Sequence, residues 1–190
     1  FIKNSELDGV KVVSDCSDTV IEDKGTLADL CSLVDEKPQL FTPIEFSLIK
    51  DYIAKTFFLG KFLEKYSLKY LKKEKNAYVL KPMFTSGGEG VHVGCYLTEV
   101  EWDGCIKDAL KNPDLWVVQT YLESDPIKKY LECSDKIDQL NQPFIISPYM
   151  VNDNISAILL RFLVDSNHKG VSGLKSGAPM GIRVVGIKNR

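Results

Sequence analysis

The chain has 190 residues, of which 44% are hydrophobic and 26% are charged, and its formal net charge at pH 7 is -2. This length and composition allow a core buried in one domain or in two small lobes. The interspersed charges leave no basic surface for nucleic acid, and no apolar run reaches the roughly 18 residues that a membrane-spanning helix needs. We therefore expect neither nucleic acid nor a membrane as a partner.

Five cysteines are spread widely along the chain, and two histidines accompany them. The odd number of cysteines and the lack of a Cys-x-x-Cys pair argue against a zinc site. Free thiols are typical of a reducing compartment, so we expect a cytoplasmic protein. Because the sequence begins with Phe1 rather than Met, we expect it to be part of a longer protein.

The N-terminal half of the chain is predicted to be mainly helical. Residues 26–33 carry apolar side chains at helical spacing. Thr42 is a candidate helix cap, and Glu45 stands where it completes a capping box with Thr42. The helix that follows, over residues 43–54, has its apolar residues Ile44, Leu48, Ile49 and Ile53 on one face. Helical spacing then continues through residues 57–71.

The middle of the chain alternates between strands and one helix. Short apolar runs predict strands over residues 77–82 and 91–97. A capping box and an apolar face predict a helix over residues 98–110. A further strand is predicted over residues 115–122, where the apolar start is typical of a buried strand.

The C-terminal part is predicted to contain one helical stretch and three strands. Apolar residues at helical spacing indicate the helix over residues 127–140. Continuous or alternating apolar runs indicate strands over residues 144–151, 155–164 and 182–187. The whole chain is therefore expected to have an α+β fold.

The most informative stretch joins the strand that carries Lys81 to the glycine-rich residues 85–90. A lysine on a rigid strand places a positive charge against a phosphate, and glycines allow backbone N–H groups to approach an anion closely. The stretch is not a P-loop, because no Lys-Ser/Thr pair closes the glycine run, and it lacks the GxGxxG of dinucleotide-binding folds. A hairpin turn with an incidental lysine is the alternative.

A second strand, over residues 116–123, ends in polar side chains. A strand of this kind offers backbone N–H and C=O groups to the edge of an adenine. Gln119 and Glu123 are placed to reach the exocyclic amine and the ribose. Together with the stretch around Lys81, this strand favours a nucleotide site over a simple hairpin.

The order of these features resembles the ATP-grasp superfamily. Asp23 and Lys24 come first, a long helical spacer follows, and the Lys81 strand, the glycine-rich loop and the 116–123 strand complete the pattern. The chain is most similar to the circularly permuted, glutathionylspermidine-synthetase-like branch, which includes peptide-forming ligases. The match covers most of the chain, about residues 19–179.

The resemblance implies two α+β lobes that hold a nucleotide between them. Residues 1–41 would be an N-terminal segment, which is either a remnant or the end of a preceding domain. Residues 42–118 would form the first lobe. Residues 119–190 would form the second lobe, of which the chain holds part or all.

The resemblance also implies roles for individual residues. Lys24 and Lys81 would hold the nucleotide phosphates, and Arg161 would stabilise the acyl phosphate or the transferred phosphoryl group. The residues implied for the loop over the triphosphate are Ser86, Gly87, Gly88 and Gly90. The residues implied for the hinge around adenine and ribose are Gln119, Tyr121, Leu122 and Glu123.

The activity implied is ATP-dependent formation of an amide bond through an acyl phosphate. The substrates would be a carboxylate and an amine, each a small molecule or a peptide, and the protein could be a homo-oligomer. Mg²⁺ would accompany ATP. The family's metal-ligand pattern is broken here, because Gly170 stands where Asn is expected, and Asp165 and Asn167 are the nearest oxygen donors.

Two other interpretations remain open. A catalytically degenerate ATP-grasp-like module would bind a nucleotide or a partner without turnover, in keeping with Gly170 at the expected ligand position. A plain α+β domain with a fortuitous glycine hairpin would have no nucleotide pocket. These interpretations differ in whether ATP binds and in whether ADP is released.

Overall fold

The computed structural model describes residues 23–123 and five strands beyond them, over residues 127–133, 136–142, 144–151, 154–163 and 180–186. These residues form a mixed α+β structure with small antiparallel sheets. None of the helices in this part of the chain has the length and apolar character that crossing a bilayer requires.

Helices and short turns make up much of residues 23–123. The α-helices are α1 (Lys24–Glu36), α2 (Pro43–Tyr52), α3 (Leu59–Tyr66), α4 (Leu68–Lys73) and α5 (Glu99–Ala109). The 3-10 turns are Pro38–Leu40, Lys75–Ala77, Gly94–Tyr96 and Pro113–Leu115.

The first sheet has four short antiparallel strands. They are β1 (Thr56–Phe58), β2 (Tyr78–Pro82), β3 (His92–Val93) and β4 (Trp116–Thr120), in the spatial order β1-β4-β2-β3. In this register Gln119 lies opposite both Thr56 and Val79, and Lys81 lies opposite Val117. Since successive side chains of a strand point to opposite faces, Thr56, Lys81 and Gln119 share one face of the sheet.

The hydrophobic core covers the other face, beneath helices α3, α4 and α5. Its buried members are Leu59, Phe62, Leu71, Leu80, Trp102, Ile106, Ala109 and Val118. The buried indole N–H of Trp102 donates a hydrogen bond of 3.2 Å to the Leu71 carbonyl, so the largest core side chain leaves no polar group unpaired. This core holds the sheet in place and leaves the face that carries Lys81 for other contacts.

Helix α1 packs on the face that carries Lys81. It begins at Lys24, where the Asp23 carboxylate accepts a hydrogen bond of 3.0 Å from the Gly25 N–H. Its buried residues are spaced three apart: Gly25, Ala28, Cys31 and Val34. The helix predicted over residues 26–33 is confirmed and is longer at both ends.

Helix α2 begins as predicted but does not bury its apolar face. Thr42 and Glu45 form the expected capping box, and the helix ends at Tyr52. None of its residues is buried within the described part of the chain, and Ile44 and Leu48 are 73% and 51% exposed. Part of the apolar face of α2 is therefore exposed in the part of the chain that the structure describes.

The helix predicted over residues 57–71 is wrong in two respects. Phe57 and Phe58 belong to strand β1, because pairing with β4 overrides the helical spacing of the apolar residues. The remaining helix is then broken at Ser67, whose φ of +73° cannot continue an α-helix. Ser67 instead caps α4, since its hydroxyl accepts a hydrogen bond from the Tyr70 N–H.

The other predictions for residues 77–122 are largely confirmed. Strands β2 and β4 and the capped helix α5 lie where the sequence placed them. The strand predicted over residues 91–97 is reduced to His92–Val93, because Gly94–Tyr96 turns into a 3-10 helix. His92 stacks on Trp116, with ring centroids 5.9 Å apart.

The C-terminal strands form two further antiparallel sheets. Strands β5 (Ile127–Cys133) and β6 (Lys136–Gln142) pair over seven residues each, so the helix predicted over residues 127–140 is wrong. Short apolar runs fit both periods, and here the neighbouring strand decides the outcome. Strands β7 (Phe144–Val151), β8 (Asn154–Leu163) and β9 (Met180–Gly186) confirm the three predicted strands and pair in sequence order.

Candidate functional site

Lys81 is held on the sheet by a chain of hydrogen bonds. Its ammonium donates to the side-chain carbonyl Oε1 of Gln119 on the neighbouring strand. The Nε2 of Gln119 donates to the Thr56 hydroxyl at 2.9 Å, and that hydroxyl donates to the Ala54 carbonyl at 2.8 Å. This relay, Lys81–Gln119–Thr56, crosses three strands and fixes where the Lys81 charge lies.

Lys24 reaches the start of the glycine-rich loop from the first turn of α1. Its ammonium donates to the Met83 carbonyl at 3.2 Å and to the Thr85 carbonyl, and it lies 3.5 Å from the Thr85 hydroxyl. The loop follows β2. Lys81 lies within β2, and Lys24 contacts the residues that come directly after that strand.

The charge of Lys24 acts on the Lys81 ammonium. Burial, and after it the charge of Lys24, lowers the pKa of Lys81. Burial also lowers the pKa of Lys24, while the Asp23 carboxylate opposes that effect. No salt bridge within the described residues involves either lysine. Two neighbouring lysines without a salt bridge can hold an anion.

The loop itself has the backbone that its glycines allow. Gly87, Gly88 and Gly90 have φ values of +65°, +80° and +68°, which residues with a Cβ rarely adopt. At Gly90 a Cβ would also lie 2.8 Å from the Pro82 ring. Ser86 is exposed on the loop, and its carbonyl accepts the Glu89 N–H at 3.3 Å. The loop is therefore partly exposed, and Lys24 contacts its first residue, Thr85.

The segment after β4 has some of its backbone already in use. The N–H groups of Thr120 and Tyr121 donate to the carbonyls of Lys55 and Ala77, each at 2.8 Å. The Tyr121 hydroxyl lies 3.3 Å from that of Tyr96, and burial is the main cause that raises its pKa. Leu122 is 64% exposed.

A cavity of about 220 Å³ lies beside this segment, between α1, α2 and the end of β4. Thr120 and Leu122 line it on one side, and Cys31 and Val34 line it on the other. Glu123 is exposed at the end of the segment. Of the predicted hinge residues, Leu122 lines this cavity.

Gln119 has a different environment from the one that the resemblance implies. Its side-chain carbonyl and amide both bond within the relay, to Lys81 and to Thr56. In this conformation the Gln119 side chain orients Lys81, and its carbonyl faces Lys81 instead of an adenine amine.

Arg161 lies on β8, the central strand of the last sheet. Its Nη2 donates to the Ser147 hydroxyl at 2.9 Å, and its Nε is buried without a hydrogen-bond partner among the described residues. No hydrogen bond between Arg161 and either lysine occurs within the described residues. Hydrogen bonds join Lys81 to Gln119 and Lys24 to the start of the loop, and they do not join Arg161 to that group.

The predicted metal ligands fall outside the described residues. Asp165, Asn167 and Gly170 belong to residues 164–179, which the structure does not describe. Where the chain is described, no three His, Cys, Asp or Glu side chains cluster as metal ligands would.

Thr56 is the site residue that sequence reasoning missed. It is a buried polar side chain, 1% exposed, between the Gln119 amide and the Ala54 carbonyl. In the sequence it stands before two phenylalanines, a setting in which a threonine indicates only a strand. Its partner Gln119 is 63 residues away, so no local pattern indicates the contact.

No protein-family model matches this chain, and no significantly similar protein is found among the curated proteins. Function is therefore inferred from the two lysines, the loop and the relay.

Proposed function

We propose that this chain is the nucleotide-binding part of an ATP-dependent carboxylate–amine ligase of the ATP-grasp type. The observation that carries the proposal is a pair of lysines at the junction of β2 and the glycine-rich loop: Lys24 contacts the start of the loop, and Lys81 lies on β2 just before it, bonded to Gln119. Neither lysine has a salt bridge within the described part of the chain, so both charges are available to a polyphosphate.

In the proposed complex, the triphosphate lies against the face of the first sheet that carries Lys81. Lys24 and Lys81 neutralise its charge, and the exposed backbone of residues 86–90 closes over it. The base lies towards the segment after β4, where Leu122 is exposed beside the 220 Å³ cavity. In this arrangement a nucleotide spans the sheet from the loop to the end of β4.

The proposed reaction has two steps. A carboxylate oxygen attacks the γ-phosphorus of ATP, the bond to the β,γ-bridging oxygen breaks, and ADP leaves. An amine nitrogen then attacks the acyl carbon, phosphate leaves with the electrons of the carbon–oxygen bond, and the nitrogen gives up a proton. The protein contributes positioning and charge neutralisation.

Arg161 is the proposed group for the charge that develops on the phosphoryl oxygens, because a guanidinium offers several fixed donors. Mg²⁺, when bound, would neutralise phosphate charge. The described residues supply no cluster of ligands that fits it, so none of them is assigned to the metal.

A catalytically degenerate nucleotide-binding module is the second candidate. The sequence favours it at one position, where Gly170 replaces the Asn expected of a metal ligand. The two candidates share the phosphate site and differ in turnover. Release of ADP that requires Mg²⁺ and depends on an added amino acid or peptide would exclude the degenerate module.

The first experiment is calorimetric titration of ATP, with and without Mg²⁺, into wild type and Lys81→Ala. We expect at least a tenfold loss of affinity in the variant, because a positive charge at the phosphate is removed. Lys107→Ala is the matched control, since Lys107 is exposed on α5 and has no hydrogen bond or ion pair with other described residues. Equal affinities in all three proteins, or no binding by wild type, would contradict the phosphate site.

A further inference from the structure

We propose that Thr56 is a positioning residue for the anion site. Its hydroxyl holds the Gln119 amide in the one orientation that keeps the side-chain carbonyl of Gln119 on the Lys81 ammonium. The relay itself is a property of the free protein, and its effect on nucleotide affinity rests on the proposed function. Thr56 lies two strands away from Lys81 and would not touch the nucleotide.

The burial of Thr56 is the first observation behind this inference. A hydroxyl taken from water needs hydrogen-bond partners, and valine would fill the same space on a strand without that requirement. Thr56 is 1% exposed, and among the described residues it is the one polar or charged side chain that is buried. Both hydrogen-bonding functions of its hydroxyl are used.

The direction of the hydrogen bonds is the second observation. A hydroxyl has one proton, and that of Thr56 goes to the Ala54 carbonyl at 2.8 Å, because a carbonyl can only accept. The hydroxyl must therefore accept from Gln119, which directs the Nε2 of Gln119 to Thr56 at 2.9 Å. The carbonyl Oε1 is left to face Lys81, as the structure has it.

The third observation is the charge around Lys81. If the Gln119 amide were flipped, its N–H groups would face the Lys81 ammonium, which the charge of Lys24 already destabilises. The orientation of the amide therefore affects the energy of the charged form of Lys81. The Oε1 of Gln119 is the acceptor that the described residues offer to Lys81. Without the Thr56 hydroxyl, the amide of Gln119 loses its anchor and the Lys81 ammonium loses a fixed acceptor.

Two substitutions separate the hydroxyl from the shape of the side chain. Thr56→Val keeps the branched volume and removes the hydroxyl. Thr56→Ser keeps the hydroxyl and removes a methyl group. A role in packing alone predicts that serine is the more harmful change, whereas the relay predicts that valine is.

The first test measures Lys81 in the free protein. Competitive acetylation with acetic anhydride over a range of pH, read by mass spectrometry and normalised to Lys107, gives the fraction of neutral Lys81. The charged groups near Lys81 are Lys24 of α1 and, beside it, Asp23. We expect the labelling of Lys81 at a given pH to increase about threefold or more in Thr56→Val, and to stay at the wild-type level in Thr56→Ser. A Lys81 profile that is the same in wild type and in a folded Thr56→Val protein would overturn the inference.

The second test uses ATP affinity in a double-mutant cycle with Gln119→Met. We expect Thr56→Val alone to weaken ATP binding about fivefold, the size of one net hydrogen bond, and to have no further effect when Gln119 is already Met. Equal losses in both backgrounds would overturn the relay. If wild type does not bind ATP, the proposed function fails, and the labelling experiment still decides the role of Thr56.

Discussion

Gly94 lies so close to Lys75 that a Cβ on Gly94 would stand 1.9 Å from the backbone carbonyl oxygen of Lys75. The ammonium of the same Lys75 donates hydrogen bonds to the carbonyls of Gly94 and Leu97, at 3.1 Å and 2.7 Å. The turn over Gly94–Tyr96 is thus packed directly against the turn over Lys75–Ala77. This contact explains why strand β3 ends at Val93.

We expect Gly94→Ala to lower the free energy of unfolding by about 2 kcal/mol or more, since backbone must move to admit the methyl group. Gly104→Ala is the matched control, because nothing lies within 4 Å of the place of its Cβ. Gly104 is in the interior of α5, where alanine should stabilise by about 0.5–1 kcal/mol. Urea unfolding of the three proteins measures both effects, and a Gly94→Ala protein as stable as wild type would contradict the close contact.

Local signals in the sequence predicted the parts of the fold that depend on neighbouring residues. The capping boxes at Thr42 and Thr98 are completed by residues three positions away, and both are present. The strand that carries Lys81 was equally evident, because a short apolar run is interrupted by one charge. These features need no information from the rest of the chain.

Features that depend on distant partners were missed. Residues 57 and 58 have helical spacing, but pairing with β4, about 60 residues later, makes them a strand. Residues 127–140 were missed for a different reason, because this stretch fits both periods and pairs with itself as a local hairpin. The role of Thr56 follows from the same long-range pairing, since its hydrogen bond to Gln119 exists only once β1 and β4 are side by side.

The two capping boxes should contribute differently to stability. Their geometry is the same, with the hydroxyls of Thr98 and Thr42 each accepting a backbone N–H at 3.3 Å. Helix α5 buries Trp102 and two further residues in the core, whereas α2 buries none within the described part of the chain. We expect Thr98→Ala to lower the free energy of unfolding by about 1 kcal/mol.

Thr42→Ala should instead loosen α2 locally, with a smaller change in global stability. Hydrogen exchange would show faster exchange of the α2 amides in this variant, while chemical unfolding would show little change. Equal losses of global stability in the two variants would mean that α2 is coupled to the core as closely as α5 is.

The ion pairs of Asp35 predict a pH dependence of stability. Burial raises the pKa of its carboxyl, but hydrogen bonds and charges from Lys50 and Lys55 outweigh burial and hold the pKa below its ordinary value. A depressed pKa stabilises the folded protein above the unfolded pKa of about 3.9. That contribution is lost as the pH falls through the folded pKa.

We therefore expect Asp35→Asn to be less stable than wild type at pH 7 by under about 1 kcal/mol, because the side chains are partly exposed and screened. The difference should shrink as the pH falls below about 4. Asp29→Asn, on the same helix, is the control, since Asp29 is exposed and has no hydrogen bond or ion pair with other described residues. A difference that is constant from pH 7 to pH 3 would contradict the ionic origin.

Lys24 should restrain the glycine-rich loop when no ligand is bound. Its ammonium donates to the carbonyls of Met83 and Thr85, which begin the loop. Lys24→Met keeps most of the side-chain volume and removes these hydrogen bonds. A charged donor to a partly exposed carbonyl contributes on the order of 1–2 kcal/mol, so we expect local opening of the loop to increase about tenfold.

The amides of Glu89 and Val91 report on this opening, because they donate to Ser86 and Gly88 within the loop, each at 3.3 Å. Their hydrogen exchange should become about tenfold faster in Lys24→Met, while the amide of Leu80 in β2 should keep its protection. Lys107→Met serves as the control for removal of a surface charge. If the two loop amides exchange at the wild-type rate in Lys24→Met, the lysine does not hold the loop, and its charge is free for a ligand without a prior contact to break.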